Sequence, residues 1–457
     1  MLFPTPRYGG EAITTLISSA SGSVMLTPSV PFPVVSEILA KRPMRTFEIP
    51  SIDHFLTSEP TPYPFTKTFE ANKSEPLVCL HTSGTTGFPK PVILTHDWAS
   101  SAAKGHYLPA PAGYERLDEI MLGPHRRVMT LFPPFHASGM MGVLIFQLLL
   151  GTTTVYAPSR LTPNEAVDAA VDALEVLGEE GKIDVLALPP PHAEYLGANT
   201  ALLDKVSKRV KTILWAGGDL SHAAGNAIAA KMQTLNHIAS TEVGLWTAIR
   251  KPGPGDAKAV EDEWHYLSFH PSLNIRFDAA SEGEEGILYE ATMVKNEGEG
   301  AWVQPIFKVF TDVNEIALGD LFTRHPHNPE KWRHFGRSDD LLNFLTGETF
   351  HPGSAERQIA AHPDVAEVMI VGTRRSKASL IVRLNNGANL ESVWGVIDEV
   401  NKDSPVYARV GKHMILEVTE PFPRTAKGTI RKKDVVSMYE RDLNTLYEND
   451  GSFVPIK

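Results

Sequence analysis

The chain has 457 residues, of which 42% are hydrophobic and 21% charged, with a formal net charge of -11. That mix is ordinary for a folded protein, and the acidic balance argues against nucleic acid or an anionic membrane as the main partner. Cys79 is the single cysteine, which excludes an internal disulfide and fits a reducing, cytoplasmic setting.

In chain order, the start "MLFPTPRYGG" lacks the basic and apolar regions of a secretory signal. "ITTLISSA" then reads as a helix and "SVMLT" as a strand, while the proline-rich stretch 29–76 reads as irregular. "LVCL" and "PVILTH" read as two short strands. Between them runs Thr82, Ser83, Gly84, Thr85, Thr86 and Gly87, with Lys90 just after. Such a loop has little to bury, but its backbone N–H groups, hydroxyls and nearby cation are the parts that wrap a polyphosphate. It is not a Walker loop, because Gly84 and Gly87 are too close and Lys90 precedes a proline.

"RRVMTLFPPF" reads as a strand ending in a proline loop, and "MMGVLIFQLLLG" as a buried helix too short to span a bilayer. "LTPNEAVDAAVDALEVL" opens with capping-box spacing, Thr162 to Glu165, and Pro163 suits the first helical position. "IDVLALPP" and "KTILWAGG" read as buried strands with helix between them, so a parallel α/β layer is expected. Shorter strands follow at "GILYEA", "AWVQPIFKVF" and "NEIALGDLF". After "GRSDD", residues 336–340, a helix, two strands and another helix suggest a separate α+β domain of about 120 residues.

These pieces together resemble the adenylate-forming, AMP-binding superfamily. "LVCLHTSGTTGFPKPVILTH" is similar to its phosphate-binding signature and "FPPFHASG" to the segment lining its acid pocket. "WAGGDLS", "NHIASTEVG", "LGDLF", "GRSDD" and "PFPRTAKGTIRKK" are similar to its later motifs, in the family's order. The wording is most similar to adenylation domains of fungal reductases related to nonribosomal peptide synthetases, and more distantly to acyl- and aryl-CoA ligases. Alone, each piece has a blander reading: Gly319-Asp320 a turn, Ser240 to Glu242 a helix start, Gly217-Gly218 a strand end, His136 a satisfied histidine, and "RKKD" a solvated face. Their joint order carries the resemblance.

The resemblance implies an AMP-binding α/β core over 1–336, matching the family from part-way in and so lacking its first segment, and a mobile C-terminal subdomain over 337–457. A missing layer is expected to leave apolar surface exposed. It implies that Thr82 to Gly87 and Lys90 hold the outer phosphates of ATP, that Gly217, Gly218 and Ile238 border the adenine, and that Asp320 and Arg337 hold the ribose. Thr241 is expected at the α-phosphate, Glu242 on Mg²⁺, His136 and Ser138 at the acid pocket, and Asp339 at the hinge.

Three positions depart from the family pattern. Ile238 stands where an aromatic residue usually stacks on adenine. Phe135, His136, Ala137 and Ser138 offer no carboxylate for an α-ammonium, which favours an aryl or alkyl acid. Thr429 stands at the usual catalytic lysine; Lys427 is the favoured replacement, with Lys432 and Lys433 as alternatives. The expected function is ATP-dependent activation of a carboxylic acid, then transfer to a thiol, on coenzyme A or on the phosphopantetheine arm of a carrier domain. The alternative is an impaired fragment that binds nucleotide or acyl group without turnover; a kinase or ATPase fits less well.

Overall fold

The computed structural model describes residues 1–5, 8–82, 89–156, 162–178, 181–251, 263–283, 286–345, 348–424 and 430–450. They form two compact units: Met1–Ile275 with Met293–Ile316, and Arg276–Thr292 with Ala317–Lys457.

The first unit is built on a five-stranded parallel sheet. Its strands are β1 (Arg127–Thr130), β2 (Thr153–Tyr156), β3 (Ile183–Leu188), β4 (Val210–Ala216) and β5 (Gln233–His237), in the spatial order β5-β4-β3-β1-β2. Successive residues of a strand point to opposite faces, and both faces here are buried. Leu186, Leu188, Ile213 and Trp215 join one apolar cluster, packed under the helices Pro163–Leu177 and Pro190–Ala198. Val185, Ala187 and Leu214 join the other, with Val78, Leu80, Leu94, Trp98 and Ile145. Thr162 and Glu165 make the expected capping box.

The strands Pro76–Thr82 and Lys90–Thr95 pair antiparallel, with Thr82 opposite Lys90. Residues 29–76 are not irregular. Pro33 occupies the first turn of the helix Pro33–Lys41, where its missing N–H breaks no bond. Arg45–Glu48 pairs with Val24–Thr27, and the Ser51 hydroxyl caps Ile52–Thr57. Proline marked helix starts here rather than loops. Exposed apolar side chains gather along residues 24–55, among them Val24, Leu26, Phe47, Ile49 and Phe55. A cavity of about 1700 Å³ lies beside them, lined by Met25, Ile38, Cys79 and Phe132 among others.

Two further expectations change. "AWVQPIFKVF" holds the helical turn Ile306–Val309 instead of a strand. Pro305 cannot donate to a ladder, and the fully buried Gln304 amide spends its hydrogen bonds on Leu273, Val294 and Asn296. Met141–Leu149 winds as a wide π-helix, buried at Met141 and Ile145 but 71% exposed at Leu148.

The second unit carries a four-stranded sheet of β6 (Ile275–Gly283), β7 (Gly286–Val294), β8 (Glu315–Arg324) and β9 (Trp332–Arg337), in chain order. Phe277 stacks on Trp332 at 3.8 Å. Beyond it lies an α+β segment. β10 (Val365–Val371) pairs antiparallel with β11 (Ser379–Leu384), and β11 parallel with β12 (Ile415–Glu417). The helices Gly353–Ala360 and Leu390–Lys402 contribute Ala355, Ile359, Val393 and Ile397 to its core.

His237, the last residue of β5, is 2% exposed, and burial pushes its imidazole down to about 4, with Asp118 opposing and His106 assisting the shift. Between pH 6.5 and pH 4 the unfolded chain therefore binds a proton that the folded chain does not. Stability should fall as pH drops through that window, by up to about 3 kcal/mol from this group. Urea unfolding of the wild type and of His237→Leu at pH 7 and pH 4.5 checks this: the variant should lose less stability on acidification.

Candidate active site

A parallel sheet buried on both faces presents loops at its carboxyl ends, and the strand order reverses between β1 and β3, where ligand crevices form. The chain leaving β1 turns through Pro133 and Pro134 to His136, which opens the helix Ala137–Met140. His136 Nδ1 accepts from the Ser138 N–H at 3.4 Å and lies 2.9 Å from its hydroxyl. The backbone contact makes Nδ1 an acceptor, so a neutral ring carries its proton on Nε2. Gly139 permits this seating, because a Cβ there would meet Pro133 O at 2.1 Å.

Gly217 follows β4 with φ +91, a conformation that favours glycine, and Gly218 passes Pro190 closely enough that a Cβ would lie 3.2 Å from its ring. On the neighbouring strand, Asn236 donates to His265 O at 3.1 Å, and half-buried Ile238 packs near Leu117, Leu235 and Ala248. In register, Trp215 and Ala216 sit beside Asn236 and His237. Gly217 and Ile238 therefore leave adjacent strands at the same end of the sheet.

Ser240 to Glu242 is a turn rather than a helix start. Ala239–Ser240 pairs antiparallel with Gly244–Leu245, and Gly244 adopts φ +78. The Ser240 hydroxyl accepts from Val243 N–H at 3.2 Å. Thr241 is buried and Glu242 half-buried. Trp98 Nε1–H donates to the Glu242 carbonyl at 2.7 Å and holds the turn against the helix His96–Gly105. Sequence reading missed Trp98, although its place soon after the Ser/Thr/Gly loop was a usable signal.

Three of the sequence segments pack together around one apolar void of about 10 Å³, too small for a ligand. Leu80 comes from the strand entering the Ser/Thr/Gly loop, Ala137 from the helix after His136, and Ser240, Thr241 and Gly244 from the turn. Thr82 is half-buried and Lys90 exposed, at the two stems of the loop. Ser83, Gly84, Thr85, Thr86 and Gly87 lie outside the described residues. Among the described residues no cluster of three or more His, Cys, Asp or Glu could cage a metal. Glu242 offers a single carboxylate, a hard oxygen donor.

In the second unit Asp320 pairs in register with Arg337. Its carboxylate, 13% exposed, lies 3.3 Å from Arg337 Nη1 and 3.3 Å from His334 Nε2. Arg337 also donates to Leu318 O at 3.1 Å and sits 3.4 Å from Asp339. Gly319 adopts φ +70, and a Cβ there would strike the Arg337 guanidinium at 2.8 Å. Lys427 lies outside the described residues, but the stem before its segment is fixed by Glu367, which sequence reading also missed. Its carboxylate accepts from Phe422 N–H at 3.0 Å, Arg383 at 2.7 Å and Arg424 at 2.5 Å. Burial alone would raise this carboxyl, but those donors outweigh it and hold it below the usual range. Lys433 is exposed, whereas Lys432 faces Asp340 and Glu356.

Comparison with known proteins follows the same outline. The family model for AMP-binding enzyme matches residues 3–263, and that for AMP-binding enzyme C-terminal domain matches 339–451. The chain is 27% identical over 463 residues to a carboxylic acid reductase of Neurospora crassa, covering 98% of this chain and 42% of that protein. It is 26% identical over 461 residues to the isocyanide synthase–NRPS hybrid crmA of Aspergillus fumigatus, covering 98% of this chain and 28% of that one. It thus spans less than half the length of either relative. ATP-bound MatB from Rhodopseudomonas palustris shares the fold, with a TM-score of 0.66 at 16% identity, covering 96% of this chain and 83% of that one.

Trp98→Phe should leave the Glu242 carbonyl without its donor while keeping most of the packing. The expected loss is about 1–2 kcal/mol in urea unfolding, with faster amide hydrogen exchange over residues 240–245 than over β3.

Proposed function

The chain belongs to the AMP-binding enzyme family, and from that premise we propose that it activates a carboxylic acid with ATP and passes the acyl group to a thiol. In the first step a carboxylate oxygen attacks the α-phosphorus of ATP, the bond to the bridging oxygen breaks, and pyrophosphate leaves. In the second, a thiolate sulfur attacks the acyl carbonyl of the adenylate and AMP departs. The observation that supports this reading is the packing of Leu80, Ala137, Ser240 and Thr241 around one small apolar void, with Gly217 and Ile238 leaving neighbouring strands of the parallel sheet. It brings the strand that enters the loop, the helix after His136 and the turn at Ser240 and Thr241 side by side.

The residues take their roles from chemistry. Two anions must meet, so positioning and electrostatic stabilisation supply most of the acceleration. Residues 82–87 and Lys90 would hold the outer phosphates, and Thr241 would donate to the α-phosphate. Glu242 would hold Mg²⁺, which neutralises charge on the phosphate oxygens. Gly217 and Gly218 leave room beside the base, and Ile238 covers it without aromatic stacking. Asp320 would accept from the ribose hydroxyls, with Arg337 at its flank. Lys427 would pair with charge growing on the reacting oxygens. Residues 337–457 would act as the mobile part, turning at Asp339.

The acid is aryl or alkyl rather than an α-amino acid. Phe135 to Ser138 supplies no carboxylate, and His136 Nδ1 is already engaged by Ser138. An unpaired ammonium buried there would cost several kcal/mol. The acceptor is coenzyme A or a carrier arm; the second fits the much longer relatives.

ATP–pyrophosphate exchange over a panel of aryl and alkyl acids tests the proposal. Exchange is expected with at least one acid and with no α-amino acid. ATP binding without exchange across the panel would support a non-catalytic nucleotide binder instead. With an accepted acid, Glu242→Gln should lower exchange by about 100-fold or more; an unchanged rate removes Glu242 from the site. Lys427→Ala should slow exchange but spare thioester formation from preformed acyl-adenylate.

A further inference from the structure

The run from Phe335 to Phe344 joins the four-stranded sheet of the second unit to its α+β segment. Its two ends are held by different partners. On the sheet side, Arg337 is fixed by Asp320 at 3.3 Å and by the Leu318 carbonyl at 3.1 Å. On the other side, Leu342–Asn343 pairs with Thr349–Phe350, Asn343 O accepts from Arg374 N–H at 2.7 Å, and Phe344 is buried in the core with Ile370, Leu380 and Val393. Between these anchors only Ser338 to Leu341 remain.

Asp340 has a partner within that gap. Lys432 Nζ lies 3.4 Å from Asp340 Oδ1 and 3.6 Å from Glu356 Oε2. Glu356 is itself fixed, since its Oε1 accepts from Ile370 N–H at 2.9 Å on β10. Lys432 opens the helix Lys432–Met438, whose Val435 is fully buried against Met369 and Ile381. The ammonium thus ties Asp340 to two elements of the α+β core. The Lys432–Asp340 pair is about one-third exposed on both sides, so it adds little to global stability. What it fixes is geometry.

We infer that Lys432 is a positioning residue: by tying Asp340 to Glu356 it makes residue 340 part of the moving body and confines rotation to Ser338 and Asp339. This rests on the reading of Asp339 as the hinge. The contacts that rotation must break lie on the other side of that point. Phe335 meets His351 edge-on, with ring centroids 4.8 Å apart, and Gly336 approaches the same ring so closely that a Cβ would lie 2.2 Å from Nε2. Burial holds the His351 ring neutral at pH 7, its pKa pushed down to about 4. An uncharged ring leaves no ion pair to break when the surfaces part. Hinges need only a few residues that absorb a φ/ψ change, and a fixed residue 340 keeps that number small.

The same contacts separate the candidate lysines. Lys432, engaged by two carboxylates, is not the cation that meets the reacting oxygens.

Hydrogen exchange on the full chain tests this without any substrate. Lys432→Met should raise amide exchange over residues 338–343 by about tenfold while leaving β10 unchanged, and Lys432→Arg should restore protection. No change over 338–343, or an equal rise in β10, overturns the inference. With an acid accepted in the exchange assay, Lys432→Met should slow thioester formation more than pyrophosphate exchange. Loss of pyrophosphate exchange with normal conversion of preformed acyl-adenylate would make Lys432 the reacting cation and overturn it as well. Should the wild type exchange with no acid at all, the proposed function fails, while the amide measurement still decides the role of Lys432.

Discussion

A parallel sheet buried on both faces can offer chemistry only at its ends. Alternate residues of β3 and β4 are committed to two apolar clusters, one under each layer. No face is left for a site, so polar groups must ride on the loops leaving the strands. The 133–138, 217–218 and 238–242 segments all leave carboxyl ends of this sheet. Glycines appear where those loops must turn sharply or pass close to another backbone, at 139, 217 and 244.

The same constraint explains how an acidic chain, with a net charge of -11, can be proposed to handle a polyphosphate. Bulk charge matters less than donors aimed at one place. Hydroxyls and N–H groups of a short loop, one lysine at its stem and a shared cation suffice in principle. Their value depends on rigidity, and Trp98 supplies some of it. A single indole N–H donated to the Glu242 carbonyl couples the turn to the helix that follows the loop's second strand.

In the second unit, three carboxylates each hold a segment in place. Asp320 takes Arg337 and His334, Glu367 takes Phe422, Arg383 and Arg424, and Glu356 takes Ile370 and Lys432. Glu367 and Glu356 flank the two stems of the lysine segment. Glu367 is buried, so removing Arg383 or Arg424 would leave its charge short of partners. Lys432, partly exposed, sets geometry rather than stability.

Much of this was legible in the sequence because the signals were local. A capping box at Thr162 and Glu165, period-two apolar runs at 183–188 and 210–216, and the ordered motifs from Thr82 to Lys433 each depend on residues a few positions apart. Proline was misread at Pro33, because the same fixed φ serves a helix start as well as a loop, and at Pro305 a strand was expected although proline cannot donate to a ladder. The partners of Glu242, Asp340 and Glu367 could not be read at all. They lie 144, 92 and 57 residues away, at Trp98, Lys432 and Arg424, and no periodicity links such positions. Sequence alone determined the motifs and the elements with strong local periodicity or caps. Only tertiary structure decided which indole, lysine and arginine hold them, because those contacts arise from packing between elements rather than from spacing within them.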